Sequence, residues 1–389
     1  MKVVILAAGM GKRLKDKTKR HTKSMVKILG KTFIEHSLDK LTKFNISRII
    51  IVIGYYGAEI KKTIGNSYNK IPIVYVKNKD YATTNNIYSL YLTKDYLTEE
   101  DTLLLESDFF TLGNGACELI NTLSCDIKGK TGIILPTFQE YSDRIKNTKY
   151  FIPKNKDFSY DIEDLKQFSK KINTLILINP DNPSGNCLSK KELLKLLDFY
   201  KKNNKKIVLD ESFIDFSDKT TKNSLLSNEI LIKYPNLIII KSISKSYGIP
   251  GIRLGILASS DTNLIKRLQE RISIWNINSF AEYFLQIFNK FSKDFVNSCD
   301  LIAKERKILF KNLKSLNFLR PIPSQANFIL CEVLKPFDST SLCLELLDKG
   351  FLIKDCKNKL GFNGKSYICI AVNAKEDNEN LIKALRELN

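Results

Sequence analysis

The chain has 389 residues, 43% of them apolar and 27% charged, which is enough for two or three domains and a large hydrophobic core. No apolar run approaches the ~20 residues of a membrane helix, and the short stretch at residues 3–8 is no signal-peptide core, so a cytoplasmic protein that does not span a membrane is expected. The net charge of +20 comes mostly from scattered lysines, only ten of the 62 basic residues being arginine; this fits solvated faces rather than a surface that reads nucleic-acid bases.

Eight cysteines form no CxxC pair and are expected to be reduced thiols. Two histidines, His21 and His36, leave no material for a histidine-based metal site. One basic cluster is an exception to the scatter. Lys12, Arg13, Lys15, Lys17, Lys19, Arg20, Lys23 and Lys27 surround a glycine turn with Asp16 as the lone acid, where a phosphate-rich small ligand accounts for them.

In chain order, short apolar runs at residues 3–6, 48–53, 73–76 and 102–105 predict strands. Helical spacing falls between them at 34–44 and 86–97. This is the βαβ rhythm of a parallel sheet. A second series of strands is predicted at 131–135, 174–178, 206–209 and 237–240. From about residue 262 the pattern turns to helices at 263–271, 281–291 and 301–313, then to strands at 328–331 and 367–372, a smaller α+β unit. No repeat, low-complexity stretch or Pro/Gly/Ser linker separates these parts.

The first chemical signal is Leu6-Ala7-Ala8-Gly9-Met10-Gly11-Lys12-Arg13, a glycine turn directly after a strand. Backbone N–H groups can approach an anion there, and the cations that follow neutralise phosphate. Thr22-Lys23-Ser24 and Leu29-Gly30-Lys31 come next. This stretch resembles the sugar-phosphate and alcohol-phosphate nucleotidyltransferases, in which the lysine matching Lys23 contacts nucleotide phosphates. The segment from Tyr81 through Thr84, Asn85 and Asn86 to Leu90 resembles the pyrimidine-recognition segment of cytidylyltransferases for phosphocholine and 2-aminoethylphosphonate. The resemblance implies CTP as ligand, with Asp108 at a strand end holding its Mg²⁺.

A second set of motifs begins at Gly113-Asn114-Gly115-Ala116-Cys117-Glu118, glycines expected to open a helix. The set continues through the segments 136–141 and 179–185, Asp210-Glu211-Ser212-Phe213, the run Ser242-Ile243-Ser244-Lys245, and Arg253. In order and spacing it resembles the fold-type I pyridoxal-phosphate (PLP) enzymes, most of all the histidinol-phosphate aminotransferase and threonine-phosphate decarboxylase group. The resemblance implies that Lys245 holds the cofactor aldehyde and moves protons, and that Asp210 pairs with the pyridine nitrogen. It further implies that Asn182 donates to the phenolic oxygen and that Phe138 stacks on the ring. Ala116, Cys117, Ser242, Ser244 and Arg253 would cradle the phosphate. A homodimer is expected, since such enzymes usually build their site across one.

The expected fold is therefore α/β: a truncated Rossmann-like nucleotidyltransferase module over 1–110, a fold-type I large domain over 111–262 lacking its usual N-terminal segment, and a small α+β domain over 263–389. The two resemblances abut, which suggests a fusion with an internal deletion. Two substitutions stand out: Phe213 replaces a frequent tyrosine, and Cys369 aligns with the arginine that binds the α-carboxylate in many relatives, with Arg320 and Arg386 the cations that could compensate. The function expected is a PLP aminotransferase fused to a CTP-dependent module in phosphonate or phospho-alcohol metabolism, acting on a small amino donor and acceptor. The alternatives are an aminotransferase or decarboxylase with a vestigial first module, and a non-catalytic remnant.

Overall fold

The computed structural model describes residues 1–9, 22–25, 27–28, 31–41, 44–84, 86–97, 102–105, 109–218, 223–273 and 276–388. The chain divides into two compact units, Met1–Ser107 and Asp108–Asn389.

In the first unit, the strands Lys2–Ala7, Arg48–Ile53, Ile71–Lys77 and Thr102–Leu105 lie parallel, with Ser67–Tyr68 at one edge running antiparallel. The register sets Val3 beside Ile49 and Ile5 beside Ile51. These branched residues are buried with Leu38, Ile60 and Ile64 from the covering helices Phe33–Leu41 and Gly57–Ile64. Burial on both faces explains why these strands read as unbroken apolar runs.

The second unit is built on a seven-stranded sheet. Its order is Thr148–Phe151, Thr131–Ile134, Thr174–Ile178, Lys206–Asp210, Leu237–Ser242, Leu254–Ala258 and Phe110–Asn114. All neighbours are parallel except Leu254–Ala258, which runs antiparallel to both strands beside it. Apolar clusters cover both faces. A four-stranded antiparallel sheet follows, containing Leu319–Pro321, Phe328–Val333, Tyr367–Ala371 and Lys354–Asp355. Helices Ser292–Lys314, Ser339–Asp348 and Lys375–Arg386 share its core.

The structure differs from the sequence expectation at the seam. Phe109 and Phe110 fall with the second unit rather than the first: Phe110–Asn114 is the last strand of the large sheet, and the Phe109 carbonyl accepts the Ser259 N–H at 2.8 Å. Gly113 accordingly sits in a strand, and the helix opens only at Ala116. A side chain at Gly113 would meet Leu119, so the glycine lets strand and helix approach.

Candidate active site

The short helix that carries Lys245 is tied to the segments after two strands of the large sheet, through Phe138 on one side and Ser212 and Phe213 on the other. Asp210 ends its strand buried, and its carboxylate is held on both oxygens. Oδ2 accepts the Tyr141 hydroxyl at 2.8 Å, and Oδ1 accepts the Ser212 N–H at 2.9 Å. The Ser212 hydroxyl in turn accepts the Ser242 N–H at 3.0 Å, which ties the Asp210 turn to the short helix Ile243–Ser246 that carries Lys245. Burial and the neighbouring Asp210 charge raise the Tyr141 hydroxyl well above an ordinary phenol, so it stays a proton donor.

The Lys245 ammonium lies 4.7 Å from the Phe138 ring centre and 4.8 Å from that of Phe213. Among the described residues no carboxylate stands within ion-pair distance of it. Phe213 is fixed edge-on against Phe328 at 5.0 Å, and Phe138 edge-on to Tyr141 at 6.3 Å. A lysine between two aromatic faces, on a helix tied by hydrogen bonds to a buried carboxylate, suits a flat, cationic heteroaromatic ring.

An anion cradle adjoins it. Gly115 (φ +89°) precedes the helix Ala116–Ser124 without any side-chain cap, leaving the Ala116 and Cys117 N–H groups as the orphan donors of a first turn. A Cβ on Gly115 would stand 2.7 Å from Arg253 Nη2, so the guanidinium lies directly against this turn. Arg253 itself has φ +48°. The Ser244 hydroxyl is engaged elsewhere, accepting the Leu254 N–H at 2.6 Å and lying 3.2 Å from the Leu254 carbonyl. It fixes the strand behind Arg253. Ser242 is buried at the start of the lysine helix.

Asn182 is half-buried in a loop clasped by Asn179, whose side chain donates to the Leu188 carbonyl and accepts the Leu188 N–H. The loop rests on the C-terminal part, because the Gln325 N–H bonds the Gly185 carbonyl at 2.9 Å. Asp181, next to Asn182, is fully enclosed, and burial pushes its carboxyl up to about 7. The chemistry of these residues fits PLP: Lys245, Asp210, Asn182 and Phe138 would meet the ring, and Gly115–Cys117 with Arg253 would meet the phosphate. When bound, PLP supplies an electron sink for charge left on the substrate carbon.

Sequence reasoning missed two participants. Tyr141 falls within the segment 136–141 and has no separate role in that reading, although its i+3 spacing from Phe138, the residue before one short helix, is a usable signal. Lys359 was not singled out at all, because it belongs to a loop with no periodicity. Its ammonium donates to the Thr137 carbonyl at 2.9 Å, one residue from Phe138. Neither compensating arginine stands there: Arg320 is paired with Glu332 through Nε at 2.7 Å, and Arg386 is exposed at the end of its helix.

In the first unit, Leu6 and Ala7 end the strand Lys2–Ala7, and the Ala8 carbonyl accepts the Tyr55 N–H at 3.2 Å, leaving Gly9 exposed just beyond. Lys23 lies in the turn Lys23–Met25, and Asn86 begins the helix Asn86–Tyr91. The Thr84 hydroxyl donates to the Asp80 carbonyl at 2.7 Å and accepts Asn78 Nδ2 at 3.1 Å. Gly11, Lys12, Arg13, Asn85 and Asp108 lie outside the described residues.

The family model for aminotransferase class I and II matches residues 77–385, most of the chain. The chain belongs to that family. It is thereby a PLP-dependent enzyme of the transferase class with the fold-type I architecture. The nucleotidyl transferase family model matches residues 2–121, so the two matches share residues 77–121 and both claim Thr84, Asn85 and Asn86. Over 96% of this chain and 94% of the relative's length, it is 30% identical to an L-serine phosphate decarboxylase of Sulfurospirillum multivorans. It is also 30% identical to a CMP-5'-(3-aminopropyl)phosphonate synthase of Streptomyces rubellomurinus over 71% of this chain, spanning 44% of that longer protein. Among solved structures, the histidinol-phosphate aminotransferase of Clostridium acetobutylicum superimposes with a TM-score of 0.66 at 27% identity, covering 72% of this chain and 84% of the other. The aminotransferase family thus meets a nucleotidyltransferase-like module here, as its sequence motifs imply. No helix of the described residues is long and apolar enough to cross a membrane.

Proposed function

We propose that this chain is a PLP-dependent decarboxylase of a small amino acid bearing a phosphate or phosphonate, O-phospho-L-serine being the first candidate. The feature that carries the reading is Cys369, at the position where the resemblance implies an arginine for the α-carboxylate. Burial pushes its thiol up to about 12, so it is neutral and offers that carboxylate no ionic partner. The difference matters energetically. A charge-assisted pair to the α-carboxylate would be lost as carbon dioxide forms, and binding the ground state more tightly than the transition state raises the barrier. Removing the clamp costs substrate affinity but not the departure of the carboxylate. The similarity to an L-serine phosphate decarboxylase along nearly the whole chain supports the same reading.

In this reaction the bond from Cα to the carboxylate breaks, carbon dioxide leaves, and the Lys245 ammonium returns a proton to Cα. Phe138 and Phe213 exclude water around that lysine, and Tyr141 keeps Asp210 aimed at the ring nitrogen. The test is to supply the PLP-loaded protein with O-phospho-L-serine and no 2-oxo acid, following carbon dioxide and O-phosphoethanolamine. Conversion that requires an added 2-oxo acid would overturn the decarboxylase reading and leave a transaminase.

That transaminase, with a working CTP module, is the second reading, favoured by the match of residues 2–121 and the similarity to a CMP-aminopropylphosphonate synthase. Under it, Lys23 and the turn from Leu6 to Arg13 bind the triphosphate, Asp108 holds Mg²⁺, and Thr84, Asn85 and Asn86 face the pyrimidine. Both readings take the protein to be a cytoplasmic homodimer that binds neither nucleic acid nor membrane, with the three expected domains 1–110, 111–262 and 263–389, the first boundary moved to Ser107 by the division into two units.

A further inference from the structure

Lys359 is a half-buried cation in an unusual position. It sits in the loop between the strand Lys354–Asp355 and the strand Tyr367–Ala371, and this loop packs on the end of a large-sheet strand. A Cβ on Gly361 would stand 2.8 Å from Leu135 Cβ, which measures how closely the two segments approach. Among the described residues the Lys359 ammonium makes one hydrogen bond, to the Thr137 carbonyl, and an ammonium has three donors. Among the described residues no carboxylate lies within ion-pair distance. Its electrostatic neighbours are Cys356, Cys369, Asp181 and Lys354, and burial moves its ammonium below the ordinary lysine range. The acid among these neighbours is Asp181, whose carboxyl burial pushes up to about 7 and so toward its neutral form. A desolvated cation without a fully ionised partner is costly, which leaves room for an anionic ligand.

Resting on the decarboxylase reading, we infer that Lys359 receives the phosphate or phosphonate group of the substrate. Its place selects the substrate. Thr137 is adjacent to Phe138, and Asp181 is adjacent to Asn182, so Lys359 faces the ring-binding residues from the side of Cys369. Cys369 and Lys354 are direct partners across the small sheet, which brings a second lysine to the same edge. Two lysines match the charge of about −1.5 to −2 carried by a phosphate monoester at neutral pH, whereas a carboxylate carries one charge and is best met by an arginine fork. Position 369 holds a thiol where the resemblance implies an arginine, and the point-charge cation Lys359 is among its electrostatic neighbours. The change converts an α-carboxylate clamp into a distal-dianion clamp.

The experiment uses the full-length, PLP-loaded protein, so that the cofactor-phosphate cradle is filled. Calorimetry measures the binding of O-phosphoethanolamine, which has a phosphate and no carboxylate, and of L-serine, which has a carboxylate and no phosphate. In Lys359→Gln, O-phosphoethanolamine should weaken by about 10- to 100-fold while L-serine changes by less than about twofold. Lys359→Arg should recover most of the phosphate affinity. Equal losses for both ligands, a loss for L-serine alone, or unchanged O-phosphoethanolamine binding in Lys359→Gln would each overturn the assignment. The two readings separate cleanly. Wild-type decarboxylation with phosphate affinity indifferent to Lys359 refutes this inference alone. Lys359-dependent phosphate binding without decarboxylation supports it and refutes the reaction instead.

Discussion

The Tyr141 hydroxyl donates a 2.8 Å hydrogen bond to Asp210 Oδ2, joining a helix after one strand of the large sheet to the end of another. Both residues are buried, so the bond orients a carboxylate that water cannot reach. Tyr141→Phe keeps the ring against Phe138 and removes only this donor. A hydrogen bond to a charged group contributes about 1.5–3 kcal/mol, so PLP affinity should fall by roughly tenfold or more. Titration of the cofactor-free protein by fluorescence measures it. Unchanged affinity would show that Ser212 alone positions Asp210.

Lys245 is expected to be the covalent attachment point of the cofactor. Its ammonium lies between the Phe138 and Phe213 rings, while the anion cradle is built by other residues. Lys245→Ala should therefore still bind PLP through that cradle but show no attached cofactor after borohydride reduction, and no turnover. A reducible adduct surviving in the variant would reassign the lysine.

The parallel strands were legible in the sequence because burial on both faces leaves continuous apolar runs, as in residues 48–53 and 174–178. Asp210, Lys245 and Arg253 were legible because each sits in a short local motif whose residue types the chemistry restricts. Phe110–Asn114 was not, since a glycine and an asparagine at its end mask a strand that exists only through pairing with Leu254–Ala258. That tertiary pairing overrides local propensity. Lys359 was invisible for another reason. Among 62 basic residues nothing local separates one loop lysine from the rest; only its approach to Thr137, 222 positions away, gives it meaning.

Gly255 tests the anion cradle without touching a charged group. A Cβ there would stand 2.7 Å from the Ala116 nitrogen and 2.7 Å from the Gly115 carbonyl carbon, both backbone atoms that cannot swing aside. Gly255→Ala should push the start of the helix Ala116–Ser124 off the strand and disperse the N–H groups aimed at phosphate. The expected result is weaker PLP binding with a smaller change in secondary structure by circular dichroism. If PLP binds as in the wild type, the cradle lies elsewhere.

In the first unit, CTP should bind more readily than it reacts. Lys23 and the segment that follows Ala8 would supply groups for triphosphate, but Asp108 is the single metal carboxylate the resemblance implies. Charge stabilisation of a transferring phosphoryl group from one carboxylate-held ion is partial. Calorimetry should detect Mg·CTP with little pyrophosphate released in the presence of 2-aminoethylphosphonate. Rapid pyrophosphate release would establish a complete nucleotidyltransferase.

Asp181 sets a pH dependence of stability whose sign follows from its burial. Its carboxyl is pushed up to about 7 by desolvation, against the opposing Ser184 hydroxyl, the Asn182 N–H and the Lys359 charge. Tyr160 also faces it, itself raised by burial and neutral throughout this range. In the unfolded chain the carboxyl ionises near its usual value of ~3.9. Between about pH 4 and pH 7 the unfolded state therefore loses a proton that the folded state keeps. Stability falls as pH rises across that window, by up to about 1.4 kcal/mol per unit from this residue. Asp181→Asn still accepts the Ser184 hydroxyl but cannot ionise. Its stability relative to the wild type should thus improve steadily from pH 5 to pH 7 and level off above, measured by urea unfolding at each pH. Parallel curves across that range would mean that Asp181 is already ionised in the folded protein, its charge held by Lys359.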